Sequence, residues 1–95
     1  MSKASQIFIS KFAEKQIKKL PISISEALFI WVESVEFSGI AEVRKLKGYH
    51  DEPLKGQRKG QRSIRLNRSY RVIYAENENK DLILITVIEV NKHEY

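Results

Sequence analysis

The stretch that most narrows the possible folds is residues 54–74, LKGQRKGQRSIRLNRSYRVIY, which carries seven basic side chains and no acidic one. Lys and Arg are almost never buried unpaired, so this is no ordinary core strand. Nor is it a plain solvated charge run, because apolar residues are interleaved with the charges. Ile64, Leu66, Tyr70, Val72 and Tyr74 fall on even positions, whereas Arg65 and Arg71 fall on odd ones. Side chains alternate between faces along a strand, so the parity predicts strand, turn and strand, each with one apolar and one basic face.

The same parity sets the register. If both apolar sets face one core, position 66 lies opposite 70 and 64 opposite 72, with Asn67, Arg68 and Ser69 as the turn; a slip of one residue exposes a whole apolar set. Arg65 and Arg71 then lie directly opposite one another on the face away from the core. Like charges so placed are destabilising unless they splay into water or an anion such as a phosphate sits between them.

The remaining charge is distributed unevenly. Residues 1–43 carry five basic and five acidic groups, residues 44–72 ten and two, and residues 73–95 two and five. The net charge of +5 is therefore a patch. Such a patch attracts a polyanion, nucleic acid first, although an acidic protein segment fits as well. With 95 residues and 42% hydrophobic content, residues 1–95 are expected to form a single domain with a modest core. Without cysteine, disulfides and thiolate metal sites are excluded, and two histidines alone make no metal site; no cofactor is implied. The opening MSKASQIFIS lacks a signal-peptide apolar run, and no segment approaches the roughly 18 apolar residues of a membrane span. A soluble, cytoplasmic protein without a membrane partner is the expectation.

In chain order, Ile7 to Ile9 reads as a short strand. Ser10 is placed to cap a helix running to Leu20, with Phe12, Ala13, Ile17 and Leu20 as its apolar stripe, and Pro21 ends it. Ser23 with Glu26 reads as a capping box for a second helix, in which Ile24, Leu28, Trp31 and Val35 recur at helical spacing until Gly39. Phe29, Ile30, Val32 and Phe37 lie outside that stripe and are expected to pack largely on the first helix, with a partner's surface as the alternative. From Ile40 to Pro53 the pattern weakens: Val43 and Leu46 suggest a last helical turn or an extended link, Gly48 and Pro53 mark loop, and His50, Asp51 and Glu52 sit here. Asp51 and Glu52 are the only acidic groups among the ten bases of the patch. They read either as neutralisers of neighbouring Lys side chains or as part of a site. Leu82 to Val90, apolar on both faces, reads as an internal strand.

Strand, helix, helix and three strands, with the loop EPLKG at 52–56, GQRSIRLNRSYRVIY at 60–74 and the terminal HEY at 93–95, resemble the RelE superfamily of type II toxins. Within it the chain is most similar to HigB-type and YoeB-like members. The likeness in motif runs from about Val43 to the end; before that it lies in element order alone. It implies an α+β fold, β-α-α-β-β-β, with an antiparallel sheet packed against a two-helix hairpin. It also implies a ribosome-dependent messenger-RNA endoribonuclease that needs no metal, in which the ribose 2′-hydroxyl attacks the adjacent phosphate to leave a cyclic phosphate. The implied partners are a cognate antitoxin that neutralises the toxin, the ribosome and its message, and operator DNA only through the antitoxin complex.

By the same resemblance Arg71 and Arg65 match the phosphate-clamping cations, and Glu52 matches the acidic residue taken as general base. His93 and Tyr95 match a tail offering a proton donor and a stacking ring, with acid and base left open among Glu52, His93 and Tyr95. The order His-Glu-Tyr departs from the His-Tyr or Tyr-His endings of the closest members. Lys55 matches a lysine important in some HigB-type toxins, and with Arg58, Lys59, Arg62, Arg68 and Lys92 it makes the expected RNA- and ribosome-binding set. Two other readings stand beside this one. A ParE-type toxin shares the fold but inhibits a topoisomerase by binding, and a basic nucleic-acid-binding module without toxicity needs only the charge pattern.

Overall fold

The computed structural model describes residues 4–92. The first strand, β1 (Ala4–Ile9), turns Ser5, Ile7 and Ile9 towards the core and Gln6 and Phe8 away from it. Ser10 then caps α1 (Lys11–Ile17), its hydroxyl oxygen accepting from the Ala13 amide at 3.1 Å. The same hydroxyl donates to the Ile88 carbonyl, and the Ser10 amide donates to the Val87 carbonyl, so the cap also ties the helix to the sheet. The α-helix stops at Ile17, and tighter bonds, Lys19 N–H to Gln16 O and Leu20 N–H to Ile17 O, carry the turn on to Pro21.

The expected capping box at Ser23 and Glu26 does not form. The second helix, α2 (Ile22–Ser38), begins directly after Pro21, whose carbonyl accepts from the Ile24 and Ser25 amides. A proline at the N-cap needs no N–H, so Ser23 falls inside the first turn. The stripe Ile24, Leu28, Trp31 and Val35 is buried as its spacing predicts. At Gly39 the backbone adopts φ 88°, a region that favours glycine, and its N–H closes α2 on the Val35 carbonyl. This reversal starts the single turn α3 (Ile40–Val43), whose first amide donates to the buried Ser5 hydroxyl at 2.9 Å.

Four further strands follow: β2 (Glu52–Pro53), β3 (Gln61–Arg65), β4 (Tyr70–Glu78) and β5 (Leu82–Lys92). The sheet order is β1-β5-β4-β3-β2. It is antiparallel apart from the edge, where β1 joins β5 in parallel, Ile7 beside Ile85. Only the first strand departs from the expected antiparallel pattern; the long connection through the helices and β2–β4 provides the crossover that a parallel pair requires. The β3–β4 register is the one the parity predicts: Ile64 opposite Val72 and Arg65 opposite Arg71. Asn67 shapes the connecting turn by accepting from the Ser69 and Tyr70 amides. Between β4 and β5 a bulge makes Ile73 face Glu89 but Tyr74 face Val87. The extra residue lets Val87 and Val90, an odd number apart, both turn to the core.

That core joins Ala13, Leu28, Trp31, Val35, Ile40 and Val43 of the helices to Ile64, Val72, Tyr74, Ile85, Val87 and Val90 of the sheet. The Trp31 and Tyr74 rings meet at 5.5 Å, tilted by 46°. Two expectations about the helices fail. Phe12 is 59% exposed, because Ala13 and Ile17 turn to β5, with Gln16 accepting from the Val90 amide. Phe29, Ile30 and Phe37 do not pack on α1 but are exposed, since α2 lies against β1 and α3 and keeps its second apolar face outward; Val32 alone of that set packs at the core margin. No helix among the described residues is long and apolar enough to cross a membrane.

Candidate active site

The helices cover one face of the sheet, and the odd positions of the β3–β4 hairpin line the other. Ser63 and Ile73, Arg65 and Arg71 are opposite pairs there, and β5 adds Glu89 opposite Ile73 and Asn91 opposite Arg71. Glu52 joins them because β2 pairs it with Ser63. The open face thus gathers two guanidiniums, two carboxylates, a hydroxyl and an amide from four strands.

Arg71 is held within this group. Its Nη2 donates to Ser63 Oγ at 2.9 Å and to Glu52 Oε1 at 3.1 Å. Ser63 is 1% exposed, so the hydroxyl is a fixed acceptor rather than a mobile surface group. The second oxygen of Glu52 lies 3.4 Å from His50 Nε2. Glu52 therefore stands between a guanidinium and an imidazole while remaining open to solvent on its free side. Arg65, across the strand pair, is exposed. The loop before β3 adds Arg58, which donates to Gln61 at 2.9 Å and to Glu89 at 2.8 Å. This bridge from β3 to β5 crosses the face at Ile73, and Asn91 donates to the other Glu89 oxygen.

Asp51 and Glu52, adjacent in sequence, go to opposite sides. His50 adopts a left-handed conformation, φ 49° and ψ 49°, ending the short 3₁₀ turn Lys47–Tyr49, and the chain leaves it extended. Asp51 points to the helix side, where its carboxylate is 1% exposed. There it accepts from Arg62 Nε at 2.6 Å and from the Tyr74 hydroxyl at 2.5 Å, with Arg44 Nε at 3.7 Å. Arg44 also donates to Tyr74 and pairs with Glu76. Burial, reinforced by the bond to Asp51, pushes the Tyr74 hydroxyl well above the usual phenol range, against the opposing pull of Arg44. For Arg44 burial works against the charge, yet the bonds to Tyr74 and Glu76 outweigh it and leave the guanidinium still harder to deprotonate.

The sequence-derived candidates are thereby sorted. Glu52, Arg65 and Arg71 come together, with Arg58 nearby. Arg62 does not join them: its side chain lies on the helix side and serves the buried Asp51. Asp51 likewise neutralises no loop lysine. Lys55, Lys59 and Arg68 are exposed on the loops flanking the face, and Lys92, beside Tyr70, is exposed at the end of β5. His93 and Tyr95 lie outside the described residues. No motif in the sequence marks Glu89, Asn91, Ser63 or the proximity of His50 to Glu52. The odd-position parity that marked Arg65 and Arg71 also contains Ser63, and was the available signal.

Arg65 and the held Arg71 offer paired cations on an open face, beside a carboxylate with one oxygen engaged and the other near an imidazole. This arrangement suits a phosphodiester whose neighbouring hydroxyl must lose a proton.

No protein-family model matches the sequence, and no curated protein does. Solved structures do match. A YoeB/ParE toxin from Agrobacterium tumefaciens is similar at a TM-score of 0.73 and 15% identity, over 94% of this chain and 99% of that one. The YoeB–YefM complex from Staphylococcus aureus matches at 0.69 and 21%, over 94% and 97%. An archaeal RelE–RelB complex from Pyrococcus horikoshii matches at 0.68 and 23%, over 94% of each chain. Identities this low speak to the fold alone, and that fold is the one shared by the RelE, YoeB and YafQ toxins of the RelE/ParE superfamily.

Proposed function

We propose that this chain, built on the RelE/ParE toxin fold, is the toxin of a type II toxin–antitoxin system and cleaves messenger RNA on the ribosome, residues 1–95 acting as one domain. The observation that carries the reading is Arg71, held by Ser63 and Glu52 directly opposite Arg65 on the uncovered face of the sheet. Two of the three structures described above are complexes, YoeB–YefM and RelE–RelB, which supports a cognate antitoxin as partner. Operator DNA is then met only through that complex.

In the proposed reaction the ribose 2′-hydroxyl gives its proton to a base, and its oxygen attacks the adjacent phosphorus. The bond from phosphorus to the 5′-oxygen breaks, that oxygen takes a proton, and a 2′,3′-cyclic phosphate remains. Arg71 and Arg65 oppose the charge that grows on the phosphoryl oxygens, and Arg71 is already oriented by Ser63 and Glu52. The arriving phosphate competes with Glu52 for Arg71, which releases a carboxylate beside the 2′-hydroxyl to act as base. His93 and Tyr95 are the tail candidates for the acid, and the exposed Lys55, Lys59, Arg68 and Lys92, with Arg58, draw in RNA. Programmed ribosomes with the purified protein test the reading: message cleaved to cyclic-phosphate ends supports it. Intact message together with DNA damage on expression would replace it with the ParE-type reading.

A further inference from the structure

We infer that Asp51 is a positioning residue, its buried carboxylate anchoring the turn that aims Glu52 at Arg71 across the open face. The inference rests on Glu52 belonging to the site proposed above.

A carboxylate 1% exposed is costly to hold in a fold unless donors surround it. Here they come from three separate elements: Arg44 after α3, Arg62 on β3 and Tyr74 on β4. Arg62 and Tyr74 are direct register partners, so their polar ends converge on one point at the rim of the core. What that point holds is the residue before Glu52. The chain reaches Asp51 from His50 in the left-handed region, which few residues other than glycine occupy readily. It leaves Glu52 into Pro53, which restricts Glu52 itself to extended backbone. With Asp51 pinned inward, alternation turns Glu52 outward, and the pairing of Glu52 with Ser63 places it against Arg71. Releasing Asp51 frees the turn at the one end that Pro53 does not restrain.

An anchor acting through Glu52 differs measurably from a staple that only stabilises the sheet rim. In single-turnover cleavage on programmed ribosomes, Asp51→Asn should lower the maximal rate by about ten- to a hundredfold, the usual consequence of a misplaced catalytic group. The half-saturating ribosome concentration should change little. Glu52→Gln should be slow as well, and the double variant no slower than Glu52→Gln alone, since the first residue works through the second. Losses that multiply in the double variant, or a wild-type rate for Asp51→Asn, overturn the inference. If Glu52→Gln cleaves normally, or the wild type does not cleave at all, the proposed role of Glu52 fails instead. Amide exchange then decides the anchoring by itself. The Leu54 amide, which donates to the Gln61 carbonyl at 2.9 Å, should exchange about tenfold faster in Asp51→Asn and in the gentler Tyr74→Phe, while the β4–β5 amides stay protected. Equal protection of Leu54 in variant and wild type overturns it.

Discussion

Arg65 and Arg71 face each other across the β3–β4 pair, and of the two it is Arg71 that bends into the site, to Ser63 and Glu52, while Arg65 stays exposed. Two like charges in direct register disfavour the hairpin unless something negative lies near. Glu52 supplies part of that charge in the free protein, and in the proposed reaction a phosphate supplies more. Arg71→Ala should therefore lower single-turnover cleavage by about a hundredfold or more, the typical loss for one preorganised donor. Arg71→Lys should recover only part, because an ammonium cannot grip two phosphoryl oxygens at once. The protein should still fold, at a cost of about 1–3 kcal/mol for the hydrogen bonds that Arg71 makes. A melting curve measured beside the kinetics separates the two effects, and near wild-type cleavage by Arg71→Ala would remove the clamp from the mechanism.

The basic residues of the patch include solvated cations and structural ones such as Arg44 and Arg62, and substitution should tell them apart. Neutralising Lys55, Lys59 and Arg68 together, all exposed, should weaken binding to single-stranded RNA. The slope of log affinity against log salt should flatten by up to about 2, at roughly 0.7 for each phosphate no longer neutralised. Urea unfolding should hardly change. Arg62→Gln should do the reverse: it strips one of three partners from the buried Asp51, and loss of a hydrogen bond to a charged group costs about 1.5–3 kcal/mol. An unchanged salt slope in the triple variant would mean that these residues do not touch RNA.

What parity and spacing decide was legible from the residues. Ile64, Val72 and Tyr74 are inward, Arg65 and Arg71 outward, and the α2 stripe is buried, because a one-residue slip in either element would expose several apolar groups together. What depends on partners distant in sequence was not. The parallel seating of β1 on β5 has no local signature, and Phe12 looked like core until Ala13 and Ile17 took the places against the sheet. The division of Asp51 from Glu52 hangs on the left-handed backbone at His50, which no pattern around it announces. Charge alone groups Arg62 with the RNA-binding cations, whereas its even position puts it on the helix side.

The outward face of α2 makes a direct contrast with the inward one. Phe37 is 92% exposed, whereas Leu28 and Trp31 are fully buried. Phe37→Ser should shift the urea unfolding free energy by no more than about 0.5 kcal/mol, as surface changes usually do. Leu28→Ala should cost about 2–5 kcal/mol through lost transfer and the cavity left behind. A comparable loss in Phe37→Ser would show that the exposed ring is covered in solution.

Tyr74 provides the pH-dependent test. Burial and the bond to Asp51 raise its ionisation above the usual phenol value, so the folded chain holds the proton more tightly than the unfolded chain does. The sign follows from linkage: this contribution to stability is complete below the unfolded pKa of about 10, and is lost as pH climbs from there through the folded value. Tyr49, raised by burial, acts in the same direction. In an alkaline titration followed by phenolate absorbance, one tyrosine present in the wild type and missing from Tyr74→Phe should ionise late, close to unfolding. Asp51→Asn should bring that ionisation back towards the ordinary range, because it removes a bond and a negative charge that both hold the proton in place. A tyrosine titration identical in wild type and Asp51→Asn would mean that the Tyr74 hydroxyl does not meet Asp51 in solution.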